Sequence, residues 1–242
     1  RTREYICGLG AVWTAQVLNA RLQAEGFNSD WIDTRELLSV SPSSSGPVID
    51  WESTRAAIGE RKKHFDKLDV LVVTGSLGNH GSELSATVMA NLLDAERVTL
   101  WKSVDGVMSA DKESVPGAEV IPELTYQEAT ELAFFGAEVL HPPAMTPAMI
   151  KNIPLYIKSL YDHEGDGTRI ADKLSGPDTR PVKGFSIVND VSLLNIEGAG
   201  MIGVPGISSR LFYSLQRRNI SVILISQASS EHSICCAVPS EQ

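Results

Sequence analysis

Residues 69–93 read DVLVVTGSLGNHGSELSATVMANLL. An apolar run ends at Thr74 and Gly75, a glycine-rich turn follows, and an apolar-patterned helix begins near Ser82. A strand, a glycine turn and a helix N-terminus bring main-chain amides and the positive end of a helix dipole to one point. These are the parts of a phosphate cradle. The turn holds no Lys or Arg; it holds His80 and Glu83. Its backbone suits a phosphate and its charge does not. A second cradle lies near the end of the chain, where GAGMIGVPG, residues 198–206, sets amides before a helix and suits a carboxylate. QASSEHS, residues 227–233, follows the next strand and offers Gln227, Ser229, Ser230 and Glu231. The histidines at 64, 80, 141, 163 and 232 have no metal-type spacing with cysteine or acid, so no metal site is expected.

The elements that must hold these groups can be read from periodicity and punctuation. Residues 4–10 are expected to form a short strand ending in Gly8 and Gly10, and 11–25 a helix with Trp13, Val17, Leu18 and Leu22 inward. A short strand spans 30–33, and 39–47 is a Ser/Pro/Gly loop. Asp50 caps a helix whose Trp51, Ile58 and Phe65 share a face. The run 69–73 is a strand of the kind buried in a parallel sheet, and 97–101 is the next strand. Thr125 and Glu128 can form a capping box for a helix running through Leu140, which His141-Pro142-Pro143 stops. A strand at 153–159 and a DHEGDGT turn follow. Alternation of strands and helices argues a three-layer α/β domain. A composition shift at 171–181 reads as a linker. Beyond it, strand 191–196, helix 205–218, strand 220–226 and strand 232–238 make a βαββ order, most of a ferredoxin-like module.

Composition limits the function classes. The 242 residues suffice for one large domain or a medium and a small one, and 43% hydrophobic residues predict a packed core. A net charge of −9 makes neither nucleic acid nor an anionic membrane a default partner. The three cysteines, Cys7, Cys235 and Cys236, do not suggest a disulfide framework, and adjacent Cys235 and Cys236 point to opposite faces of a strand. A reducing compartment is expected: the cytoplasm, or a plastid in a plant. No apolar run approaches the roughly 20 residues of a membrane span, and RTREYICGLG lacks the apolar core of a signal peptide.

Several segments resemble the aspartate kinase family: FFGAEVLHP followed by NIPLYIKS and GDGTRI; VTLWKSVDGVMSAD with VPGAEVIPELTYQEA; and GAGMIGVPG with ISVILISQASSEHSICCAVP. The last two are most similar to the forms fused to homoserine dehydrogenase, and the likeness runs through nearly the whole chain. The resemblance implies a partial amino-acid-kinase fold at 1–172, lacking its N-terminal part, and a truncated ferredoxin-like ACT regulatory domain at 182–242. It implies phosphoryl transfer from ATP with Mg2+ to the β-carboxylate of L-aspartate, in the pathway to lysine, threonine and methionine. Threonine or lysine would be the effector, and ACT pairing would build a homo-oligomer.

Site roles carry over by motif. The catalytic turn would be His80, Gly81, Ser82 and Glu83, with the histidine and the acid where the family has an arginine and an aspartate. A protonated His80 could take part of an arginine's role. The nucleotide would meet Lys102, Ser103, Asp105 and Met108, where the family reads Trp-Thr-Asp before Val-Asp-Gly and a tyrosine two residues on. An amino-acid effector would meet Met201, Gly203, Gln227, Ser229, Ser230 and Glu231. Other positions depart from the pattern: Ala11 replaces a glutamate, Glu113 an arginine, Glu138 a lysine and Pro143 an arginine. The family's opening Lys-Phe-Gly-Gly-Thr-Ser has no counterpart, and Gly75 runs into Ser76 where the family has a longer loop. Gly75, Gly78, Gly81, Gly106 and Gly136 can mark turns the fold requires rather than chemistry. Two functions follow: an aspartate kinase, or a catalytically degenerate kinase that oligomerises and senses an amino acid.

Overall fold

The computed structural model describes residues 2–43, 46–75, 81–134, 140–177, 180–201, 203–227 and 232–240. The chain divides into two compact units, Arg1–Ser186 and Ile187–Gln242.

The first unit opens on α1, Thr2–Ala24, a single helix where a strand followed by a helix was expected. Gly10 sits in open space on this helix, so its cost is the modest one of an exposed helical glycine and the turn continues through it. The inward face also differs. Trp13 and Val17 are 62% and 71% exposed, while Ala15 and Asn19 are buried. The small residues let the helix lie close to the strands it covers. β1, Ser29–Ile32, and β4, Val70–Val73, pair in parallel. Between them, α2 (Thr34–Leu37) precedes β2 (Val40–Ser43) and β3 (Gly46–Ile49), an antiparallel hairpin where a loop was expected. Loop-forming composition is equally that of a tight hairpin turn. Asp50 caps α3, Trp51–Phe65, by accepting from the amides of Glu52 and Ser53 at 3.2 Å each. Trp51, Ile58 and Phe65 pack into one cluster with Ile32, Val88 and Met89.

α4, Gly81–Leu93, follows β4, and β5, Val98–Lys102, follows α4. β6 (Glu123–Thr125), β7 (Leu155–Ser159) and β8 (Thr168–Ala171) complete a mixed sheet in the order β5-β7-β8-β6. One face of it is the main core: Leu100, Leu124, Leu155, Ile157 and Ile170 pack with Met145 and Ala148. α5, Tyr126–Phe134, starts on the expected capping box. Glu128 Oε2 accepts from Thr125 N at 2.7 Å, and Glu128 N donates to Thr125 Oγ1 at 3.2 Å. His141-Pro142-Pro143 also starts a helix, α6, Pro142–Ile150, because proline at the first turn lacks only an amide that had no partner there. The expected continuation of α5 through 135–139 lies outside the described residues.

The second unit holds β9 (Val191–Glu197), a 3₁₀ turn at Ala199–Met201, α7 (Ile207–Gln216), β10 (Leu224–Gln227) and β11 (Ser233–Pro239). Its antiparallel sheet runs β10-β11-β9, the expected βαββ order. Leu211 and Phe212 of α7 pack with Met201, Ile234 and Cys236. Cys236 is buried, and that burial pushes its thiol pKa up.

Candidate functional site

Strand β4 ends at a buried polar knot. Thr74 Oγ1 accepts from Thr34 N at 3.0 Å and donates to Asp33 Oδ1 at 3.3 Å. Arg35 Nε reaches both Asp33 oxygens at 2.9 Å, and this hydrogen bond chiefly holds the carboxyl below its usual range. The next residue, Gly75, touches the start of α4: a Cβ there would stand 2.7 Å from Ser82 Cα. The strand end and the helix N-terminus therefore meet, as a cradle requires. Gly81, Ser82 and Glu83 form the first turn of α4. His80 and Gly78 lie outside the described residues, as do Gly136 and Glu138.

Glu83 does not stand free. Lys102 Nζ, at the end of β5, donates to Glu83 Oε1. The two side chains are 17% and 25% exposed, so the pair is largely withdrawn from water. Glu83 Oε2 is buried with no hydrogen-bond partner among the described residues. Two positions that depart from the family pattern, one acidic and one basic, thus neutralise each other. Glu83 keeps the charge of the family's aspartate and only Lys102 brings a new one, so no signal in the sequence joined the two.

The loop after β5 is built for packing as much as for binding. A Cβ on Gly106 would meet Val120 Cγ1 at 2.6 Å and Thr168 Oγ1 at 2.7 Å. Thr168 Oγ1 accepts from Val107 N at 2.8 Å and donates to the carbonyl of buried Ile121 at 2.7 Å. Met108 bridges to Val120 in antiparallel register. Ser103 and Asp105 are exposed, and Asp105 pairs with Lys112 at 3.2 Å. Glu113 is exposed on a turn whose amide donates to Asp111 Oδ1 at 3.1 Å. Ala11 lies inside α1, so the expected glycine strand ending at Gly10 does not exist. Pro143 is exposed in the first turn of α6. Lys102 and Lys112 carry two positive charges against three carboxylates, 105, 111 and 113, in the same stretch, and each lysine is paired, with Glu83 and Asp105, so the loop offers no excess positive charge.

In the second unit a cavity of about 410 Å³ gathers Met201, Gly203 and Gln227 with Pro205, Gly206 and Ser208. Gly203 and Gly206 have φ of 68° and 89°, the left-handed region that favours glycine. Gly206 is the N-cap of α7 and supplies no side-chain cap, which leaves that helix's first amides without one. Val204 to Ser208 also line the cavity, although only Met201 and Gly203 were singled out from GAGMIGVPG. Ser229, Ser230 and Glu231 lie outside the described residues. Among the described residues no cluster of His, Cys, Asp and Glu could hold a metal ion.

Residues 1–159 match the amino acid kinase family and residues 194–242 an ACT domain. The chain belongs to the amino acid kinase family, on its aspartate kinase branch, with an ACT domain following the kinase domain in the sequence. It is 39% identical over 260 residues to bifunctional aspartokinase/homoserine dehydrogenase 2, chloroplastic, of Arabidopsis thaliana, which covers 99% of this chain. The chain spans 28% of that relative's length. Its fold matches E. coli aspartokinase III in complex with aspartate and ADP, with a TM-score of 0.80 at 24% identity over 98% of this chain and 54% of that one. The same enzyme in complex with lysine and aspartate matches with a TM-score of 0.73 at 24% identity over 96% and 54%.

Proposed function

We propose that this chain is the kinase-and-ACT portion of an aspartate-pathway protein whose role is amino-acid sensing, with phosphoryl transfer to aspartate attenuated or lost. The observation that carries this is the contact of Lys102 with Glu83. Phosphoryl transfer needs cations to hold the triphosphate and to neutralise charge in the transition state. A charge pair at about 4 Å is worth roughly 4 kcal/mol at an effective dielectric near 20. Lys102 already makes such a pair with Glu83, and Glu113 presents an acid where the family presents a cation. Lys102 and Lys112, the two lysines described at the loop after β5, are each paired with a carboxylate, which fits Mg-ATP poorly.

The turn before α4 adds to this reading. The spacing corrects the expectation for His80: counted from Leu77, Asn79 stands at the arginine's place in the family's Leu-Gly-Arg-Gly-Gly-Ser-Asp, and His80 at the glycine that follows. Neither supplies a permanent cation.

The ACT cavity supports the sensing half. Its left-handed glycines and uncapped helix start suit an α-carboxylate, and Gln227 suits the effector's polar groups. Threonine and lysine are the candidate effectors; E. coli aspartokinase III has been captured with lysine. Leu193, Leu224 and Ile225 are exposed on the ACT sheet, which favours a homo-oligomer through ACT pairing.

A second reading is an active aspartate kinase, favoured by likeness over 99% of the chain to a relative whose name includes aspartokinase. Formation of aspartyl phosphate from Mg-ATP and aspartate by the intact protein, trapped as the hydroxamate, separates the two readings. Sustained turnover selects the second.

A further inference from the structure

The outer face of the β5-β7-β8-β6 sheet carries a half-open cleft of about 400 Å³, apart from the loops discussed above. Strand register places its residues. Thr99 of β5 is opposite Tyr156 of β7, Tyr156 is opposite Arg169 of β8, and Arg169 is opposite Glu123 of β6. One row further along, Trp101 is opposite Lys158, and one row back lies Arg97. With strands about 4.8 Å apart and about 3.3 Å of rise per residue, Arg97 and Trp101 each lie roughly 8 Å from Tyr156 at the backbone. Tyr156 is therefore ringed by Arg97, Lys158, Arg169 and Trp101, all lining one cleft.

The charges are not balanced. Arg169 is committed to Glu123 at 3.0 Å, and Glu123 also accepts from Ser175 N at 3.0 Å. Arg97 and Lys158 make no ion pair or hydrogen bond among the described residues, and Asp166 is the one further acid lining the cleft. A locally cationic face on a chain of net charge −9 attracts anions. The aromatic part is held in place: Trp101 is 45% exposed, and its ring meets His163 edge-on at 5.6 Å between centroids. Trp and Tyr faces stack on planar rings, while Arg and Lys bind phosphate by charge-assisted hydrogen bonds.

We propose that this cleft binds a planar aromatic phosphate of mononucleotide size, with the ring against Trp101 and Tyr156 and the phosphate between Arg97 and Lys158. The site is separate from the loop of Lys102 to Met108 and does not depend on whether that loop holds a nucleotide. A dianionic phosphate suits two cations that lack a carboxylate of their own.

Titration of the intact protein with adenosine 5′-monophosphate, by calorimetry and by tryptophan fluorescence, tests this. Binding is expected, with quenching that Trp101→Phe abolishes. Adenosine, which has the ring alone, and inorganic phosphate, which has the charge alone, should each bind at least about tenfold more weakly. Arg97→Gln and Lys158→Gln should each weaken binding about tenfold, the scale of one charge-assisted contact. Met108→Ala should leave it unchanged. Circular dichroism of each variant checks the fold, and the half-probes test the proposal on the unaltered protein. No binding of the monophosphate at millimolar concentration overturns the proposal. So does affinity indifferent to both Arg97→Gln and Lys158→Gln, loss on Met108→Ala alone, or either half-probe binding as tightly as the whole.

Discussion

Lys102, at the end of β5, is hydrogen-bonded to Glu83, in the first turn of α4. The contact joins the two loops that a phosphoryl-transfer site would need, and it joins them through charges that cancel. With side chains 25% and 17% exposed, neither charge is well solvated without the other. Lys102→Met should therefore destabilise the first unit, leaving a mostly buried carboxylate alone. Breaking a fully buried pair costs 3–5 kcal/mol, and the residual exposure here reduces that to about 2. Adding Glu83→Gln should recover most of the loss. Urea denaturation of the two single variants and the double variant reads the coupling directly.

Glu128 should contribute a pH-dependent share of stability. Burial works to raise its pKa, but the hydrogen bonds from Lys183 and Thr125 outweigh it, and the net direction is down. A lowered carboxylate pKa stabilises the fold above the unfolded value, about 4.3, and this contribution disappears as pH falls through the folded value. Glu128→Gln should cost about 1 kcal/mol at neutral pH, as for loss of a helix cap. The difference from the unaltered protein should shrink towards zero in acid, which chemical denaturation across pH 3 to 7 would reveal.

Gly75→Ala should loosen the junction between β4 and α4. The new methyl carbon would stand 2.7 Å from Ser82 Cα, and backbone atoms cannot yield as the tip of a side chain can. A loss of about 1–3 kcal/mol is expected, with faster hydrogen exchange at the start of α4. Gly10→Ala, in open space on α1, should instead be neutral or stabilising.

The ACT cavity should respond to Gln227→Ala and to a bulky change at Gly203. Threonine or lysine is expected to bind the unaltered protein, with affinity about tenfold lower after Gln227→Ala. Gly203→Val should abolish binding, because it forces a β-branched residue to φ of 68°. Calorimetry in which both amino acids are silent would sink the effector assignment.

Much of the fold was legible because local signals agreed with tertiary packing. The Asp50 cap, the Thr125–Glu128 box and the apolar run of β4 each name an element by their own chemistry. α1 was misread because YICGLG is a short apolar run, which periodicity cannot assign between strand and buried helix. Trp13 and Val17 were placed inward on the helical spacing of the apolar residues, yet the helix turns Ala15 and Asn19 to its neighbours. In the site, types and motifs were readable but partners were not. Glu83 and Lys102 are 19 residues apart and meet only once α4 and β5 have packed. The Tyr156 cleft needs three strands, β5, β7 and β8, in register before its cations come together.

A site without positive charge should transfer phosphate to aspartate slowly or not at all. The most direct measurement is aspartyl hydroxamate formation by the intact protein with Mg-ATP and aspartate, beside a His80→Ala variant. No sustained turnover is expected from either protein. Sustained product formation by the unaltered protein would contradict the proposed loss of phosphoryl transfer, whether or not His80→Ala abolishes it.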